Sequence, residues 1–138
     1  LVEEVPVETQ TDLKPVRRAI EQFHSGQFAV MRPMLADDIV WRVPHTHPMS
    51  EDIIGADNVI AFFERVWRET NGTFRGEVVD LFRNERRVVA YMRITAERKG
   101  RRLDEKMISV WTHGPNGQIV ERELFVDNCD ASYRFWSH

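Results

Sequence analysis

Cysteine is almost absent from this chain. A single thiol, Cys129, stands among 138 residues, which excludes an internal disulfide and a zinc site built on cysteines. Long apolar runs are missing as well, and no stretch approaches the ~18 residues that a bilayer span requires. No basic-then-apolar leader opens the chain, although its first residue is Leu1 rather than Met, so a trimmed leader stays open. Positive charge is not in excess: the formal net charge is −3, which gives no basic footprint for nucleic acid. The one basic run, Arg98, Lys99, Arg101 and Arg102, surrounds Gly100 and reads as a solvated hairpin tip. Internal repeats and low-complexity segments are absent too. These absences lead us to expect a cytoplasmic protein with neither a nucleic-acid nor a membrane partner.

The residues present suit one compact domain. Apolar residues make up 42% and charged residues 30%, enough for a core and a polar surface at this length. Residues 1–10 are polar, contain Pro6 and show no period, so a flexible arm is expected ahead of a single domain over 11–138. Leu13, Val16, Ile20 and Phe23 form one helical stripe, with Thr11 or Asp12 as its cap, and Gly26 ends it. Phe28, Met31, Met34 and Leu35 predict a short second helix interrupted near Pro33. Asp38 to Val43 predicts a strand, followed by the Pro-bounded loop Pro44-His45-Thr46-His47-Pro48. Val59, Ile60, Phe63, Val66 and Trp67 give a third helix its apolar face.

After Gly72 the period changes from 3.6 to about 2. Four strands are predicted, over Thr73–Phe82, Arg87–Arg98, Leu103–Thr112 and Gln118–Val126. Asn84-Glu85, Lys99-Gly100 and Pro115-Asn116-Gly117 are the turns, short enough to make consecutive strands antiparallel. Asp130 is placed to cap a last short helix carrying Tyr133, Phe135 and Trp136. In Arg87–Arg98 one face is wholly apolar, and the other is too apolar for free exposure. That second face suggests a homodimer through the sheet.

Helices first, one strand between the second and third, then a long meander: this order resembles the nuclear transport factor 2-like superfamily. Within it the chain resembles the SnoaL-like polyketide cyclase and ketosteroid isomerase branch. The likeness is carried by Leu35-Ala36-Asp37-Asp38-Ile39-Val40-Trp41, Pro44, and Gly55 leading into Ala61-Phe62-Phe63. It continues through Gly117-Gln118-Ile119-Val120-Glu121, Phe125-Val126-Asp127 and Phe135-Trp136. The resemblance implies an α+β, cone-shaped nuclear transport factor 2-like fold, a curved antiparallel sheet wrapped on three N-terminal helices around an apolar interior. It does not imply a reaction, because such folds include isomerases, cyclases, epoxide hydrolases, dehydratases and binders without catalysis.

Candidate chemistry follows from that interior. Steroid-type isomerisation uses an Asp base with a Tyr and a protonated Asp. The position resembling the protonated acid holds Ser109, and no carboxylate stands near Val43 to Thr46. The cyclases and epoxide hydrolases place an acid on the last strand. An ungapped count puts Leu124 there, and a one-residue shift puts Glu123 there instead. Arg93 reads as a surface or interface residue, since the acid an epoxide-activating arginine wants is replaced by Thr95.

The candidate catalytic groups are therefore His45, Glu123 and Asp127; Asp127 reads first as a cap for the terminal helix, and Glu123 also reads as an exposed strand residue. Trp41, His47, Phe63, Trp67, Met92, Ser109 and Trp111 are the candidate ligand-binding residues. His45 and His47 titrate near neutral pH and can serve a pocket rim, a metal, or only an exposed loop; no metal site is assigned. The expected function is binding of a small, largely apolar metabolite, with cofactor-free isomerase, cyclase, dehydratase or epoxide hydrolase chemistry. The alternative is a non-catalytic ligand-binding or dimerisation module, and a third reading is a metal-dependent enzyme using His45 and His47.

Overall fold

The computed structural model describes residues 13–43 and 51–137. The expected arm over 1–10 and the His45–His47 loop lie outside the described residues. Helix α1 spans Leu13–Phe23 and buries Leu13, Ala19, Ile20 and Phe23, the face that the apolar spacing marks. The short second helix is instead two 3-10 turns, Phe28–Val30 and Arg32–Met34. Pro33 lies in the first turn of the second and has no N–H to carry an α-helix onward. Strand β1 spans Leu35–Trp41, beginning earlier than the expected Asp38. A two-residue strand β2, Ile53–Ile54, precedes helix α2 at Ala56–Glu69.

The four later strands follow the sequence closely: β3 (Arg75–Arg83), β4 (Arg87–Arg98), β5 (Arg101–His113) and β6 (Ile119–Val126). Helix α3, Cys129–Trp136, closes the described chain. Its cap is neither Asp127 nor Asp130: Asn128 accepts from the Ala131 N–H at 3.0 Å. Lys99 and Gly100 both have positive φ, +52° and +73°, the backbone of a two-residue hairpin turn.

The sheet runs β2-β1-β6-β5-β4-β3. Every neighbouring pair is antiparallel except β1 and β6, which are parallel. A meander of short turns accounts for the antiparallel part. The parallel pair arises because β1 comes before that meander and the last strand returns beside it, which makes the sheet mixed. On β4, Val88, Ala90, Met92, Ile94 and Ala96 all face inward, each 3% exposed or less.

Helix α1 packs on β3, α2 on β1 and α3 on β5, so the helices cover the concave side. Gly76 lets α1 approach closely: a Cβ there would lie 2.5 Å from the His24 Cβ. This contact seats His24 between the helix and the sheet. On the convex side, Phe82, Ile108 and Phe125 are 60%, 43% and 57% exposed. Among the described residues, no helix is long and apolar enough to cross a membrane.

Candidate functional site: the cone cavity

The concave side encloses a cavity of about 60 Å³. Aromatic and aliphatic side chains form most of its wall: Trp41 from β1, Phe63 and Val66 from α2, Ile94 from β4, and Leu124 and Val126 from β6. Phe23 backs this wall, with its ring centroid 4.5 Å from that of Phe63. Trp41 in turn meets Trp111 edge-on at 5.2 Å.

Four polar side chains interrupt the apolar lining: His24, Glu105, Arg122 and Ser132. His24, Glu105 and Arg122 also carry the buried side-chain atoms left without a hydrogen-bond partner among the described residues, namely His24 Nε2, Glu105 Oε1 and Arg122 Nε. Folded proteins leave few such atoms. All three lie on the wall of this one cavity.

Each of these residues is placed by its element. His24 follows the α1 stripe and is 1% exposed. Its Nδ1 donates to the Ile20 carbonyl at 2.8 Å, which leaves Nε2 as a bare acceptor. Burial lowers its pKa to about 4, against the effect of that hydrogen bond, with the nearby Arg122 charge lowering it further. The imidazole is therefore neutral at physiological pH.

Glu105 lies on the inward series of β5, between Leu103 and Met107, and is 6% exposed. Burial pushes its carboxyl up to about 7; Ser132 opposes that rise and the Asp127 charge adds to it. A carboxyl poised there can give or take a proton near neutral pH.

Arg122 lies on the inward side of β6 and is 2% exposed. Its guanidinium stacks over Trp41, 4.2 Å from the ring centroid, and reaches Met107 Sδ at 3.9 Å. Among the described residues no carboxylate forms an ion pair with it. Burial pulls its pKa down to about 9, so it keeps its charge at neutral pH.

Of the ligand-binding residues named from sequence, Trp41 and Phe63 line the cavity. Met92, Ser109 and Trp111 are buried behind it and linked to one another: Trp111 Nε1 donates to Ser109 Oγ at 3.0 Å, and that hydroxyl reaches Met92 Sδ at 3.8 Å. Trp67 does not line the cavity. It fills the corner where Gly26 and Gly72 turn, with Arg75 stacked on its ring at 5.2 Å.

The register of β6 puts Leu124 on the cavity wall, while Glu123 pairs with Val110 on the other face. Asp127 is exposed, and its Oδ1 accepts from the Lys106 backbone N–H at 3.2 Å. Neither of these two acids reaches the cavity. Arg93 is held on the surface by Asp104 through bonds of 2.9 and 2.7 Å. His45 and His47 lie outside the described residues. Among the described residues, no three His, Cys, Asp or Glu side chains cluster to hold a metal.

His24, Glu105 and Arg122 were not singled out in the sequence. Glu105 had a legible signal, a lone charge in the alternating series Leu103, Glu105, Met107, Ser109 and Trp111. Arg122 had a weaker one, because the exposed Phe125 blurs the alternation of β6.

No curated protein matches the chain. Among solved structures it is similar to Bal32a from a soil-derived mobile gene cassette, at 27% identity and a TM-score of 0.83, covering 94% of this chain and 99% of that one. A nuclear transport factor 2-like protein of unknown function from Burkholderia pseudomallei follows at 23% identity and a TM-score of 0.77, covering 92% and 98%. A putative SnoaL-like polyketide cyclase from Jannaschia shares the fold at 17% identity and a TM-score of 0.71, covering 100% and 99%. The SnoaL-like domain family matches residues 16–122. With the cone fold and that match over most of its length, the chain belongs to the SnoaL-like domain family.

Proposed function

We propose that this protein binds a small, largely apolar molecule in the cone cavity and acts on it by cofactor-free acid–base chemistry, with Glu105 as the proton-transfer group. The observation that carries this reading is the Glu105 carboxyl, buried in an apolar cavity, with a free Oε1 and a pKa raised to about 7. Groups tuned in this way are concentrated at functional sites. Isomerisation, cyclisation and dehydration each take a proton from one substrate atom and return one to another, which a single carboxyl can do in turn as base and acid. The cyclase designation of the Jannaschia relative is in keeping with this class.

A second reading, a ligand-binding module without turnover, is favoured by Ser109 and Leu124, which stand where the family resemblance implies acids. His45 and His47 remain proposals for the pocket rim.

Occupancy of the cavity is tested by filling it. Leu124→Trp is expected to weaken binding of small apolar ligands at least about tenfold, or roughly 1.4 kcal/mol. The measurement is calorimetric titration of the hits from a thermal-shift screen. Unchanged affinity in the variant would place binding elsewhere. Turnover lost in Glu105→Gln with binding retained separates the enzyme from the binding module.

We also propose a homodimer formed through the convex sheet face. Ile108 and Phe125 are direct cross-strand partners there, and on the same face Phe82 of β3 also exposes its apolar side chain to solvent. Sedimentation at micromolar concentration is expected to show twice the 16.3 kDa chain mass, with Phe125→Lys shifting it to monomer. A monomeric wild type would refute this.

A further inference from the structure

The cavity contains a buried charge that has no carboxylate partner among the described residues. Arg122 is 2% exposed, stacked on Trp41 at 4.2 Å, and no described carboxylate pairs with it. Leaving a buried cation uncompensated is unfavourable, and its removal in favour of an apolar side chain is often neutral or stabilising. Stacking on Trp41 and Trp111 offsets part of that cost but supplies no counter-charge.

Its contacts also leave it available. Trp41 takes one face of the plane, and among the described residues its polar contact is a weak sulfur acceptor, Met107 Sδ at 3.9 Å. Nε has no acceptor. A guanidinium held flat, with N–H groups unengaged, matches the two oxygens of a planar carboxylate. The other cavity groups do not supply that anion: His24 is neutral, and Glu105 forms no ion pair with Arg122. Apart from His24, Glu105, Ser132 and Arg122 itself the wall is apolar, with Phe63, Val66, Leu124 and Val126 around a volume of about 60 Å³.

We infer that the ligand is a small monocarboxylate with an apolar body, its carboxylate held by Arg122 over Trp41 and its hydrocarbon part lying toward Leu124 and Val126. This inference rests on the cone cavity being the ligand site and adds the charge and size of what enters it. It also assigns Arg122 a binding role, since the residue touches the ligand without moving a proton.

The test compares butyrate, butyramide and chloride by calorimetric titration against the wild type and Arg122→Met. Butyrate is expected to bind the wild type at least about tenfold more tightly than butyramide, and chloride more weakly than butyrate. In Arg122→Met, butyrate is expected to fall to the level of butyramide, while butyramide changes less than about threefold. Equal affinity of butyrate and butyramide for the wild type overturns the carboxylate inference while leaving the cavity reading standing. Butyrate binding that survives Arg122→Met, or is matched by chloride, also overturns it. Failure of both organic probes to bind overturns the inference and the cavity reading together. Should Arg122→Met not fold, the wild-type comparison of butyrate with butyramide decides alone.

Discussion

Glu105→Gln is expected to raise the melting temperature at pH 8 by about 10 °C and to leave it almost unchanged at pH 4.5. The sign follows from where the proton is held. In the unfolded chain the carboxyl ionises at its ordinary value of 4.5, and in the folded protein it holds its proton up to about 7. Its neutral form is therefore compatible with the fold below pH 4.5, and stability is lost as pH rises from there through 7. A gap of that size is worth about 3 kcal/mol, at 1.36 kcal/mol per pH unit. Because the residue is only 6% exposed, solvent screening does little to reduce this. For a domain of this size, about 3 kcal/mol corresponds to roughly 10 °C in melting temperature. Glutamine keeps the shape and cannot ionise, so the loss that builds up between pH 4.5 and 7 disappears. The measurement is thermal unfolding of both proteins from pH 4 to pH 9. A constant difference across that range would show that Glu105 titrates as an exposed carboxyl.

His24→Asn is expected to show the opposite dependence. The asparagine amide can keep the hydrogen bond to the Ile20 carbonyl, but it has no proton to gain. The wild-type imidazole takes up its proton at 6.5 when unfolded and at about 4 when folded. Its contribution is thus fully present above pH 6.5 and lost as pH falls toward 4. The destabilisation caused by His24→Asn should therefore be about 3 kcal/mol larger at pH 7 than at pH 4. Between pH 4.5 and 6.5 the slopes from Glu105 and His24 cancel in the wild type. Each single variant removes one slope and exposes the other. Denaturant unfolding at half-unit pH steps reads this directly, and parallel curves for wild type and His24→Asn would contradict it.

Most of the fold was legible because its signals are local. Alternation after Gly72 located β3 to β6, and the Lys99-Gly100 turn fixed the β4–β5 hairpin within one or two residues. Helix α1 followed from four apolar residues at helical spacing. The pairing of β1 with β6 was not local, since Trp41 and Arg122 meet across 81 positions and no short-range pattern encodes that contact. The two-residue β2 is too short for any period to show.

The site was harder to read for a related reason. Glu123 and Asp127 drew notice as acids on, and just after, the strand where the resemblance implies an acid, but the register of β6 turns Arg122 and Leu124 inward instead. His24 looked like an ordinary residue at a helix end. Its role depends on Gly76, a residue on β3 whose missing Cβ lets the imidazole sit under the sheet. Trp67 was named for its aromatic ring, yet the positive φ of Gly26 and Gly72 brings those turns under it, away from the cavity.

The most direct measurement of the central claim is a carbon-13 NMR titration of the Glu105 side-chain carboxyl, assigned through the Glu105→Gln spectrum. An acid–base group working inside an apolar cone is expected to show its inflection near pH 7, well above the ordinary carboxyl value of 4.5. An inflection for Glu105 at the ordinary value of 4.5 would mean a carboxyl open to water, and would contradict the assignment of the cavity as an acid–base site.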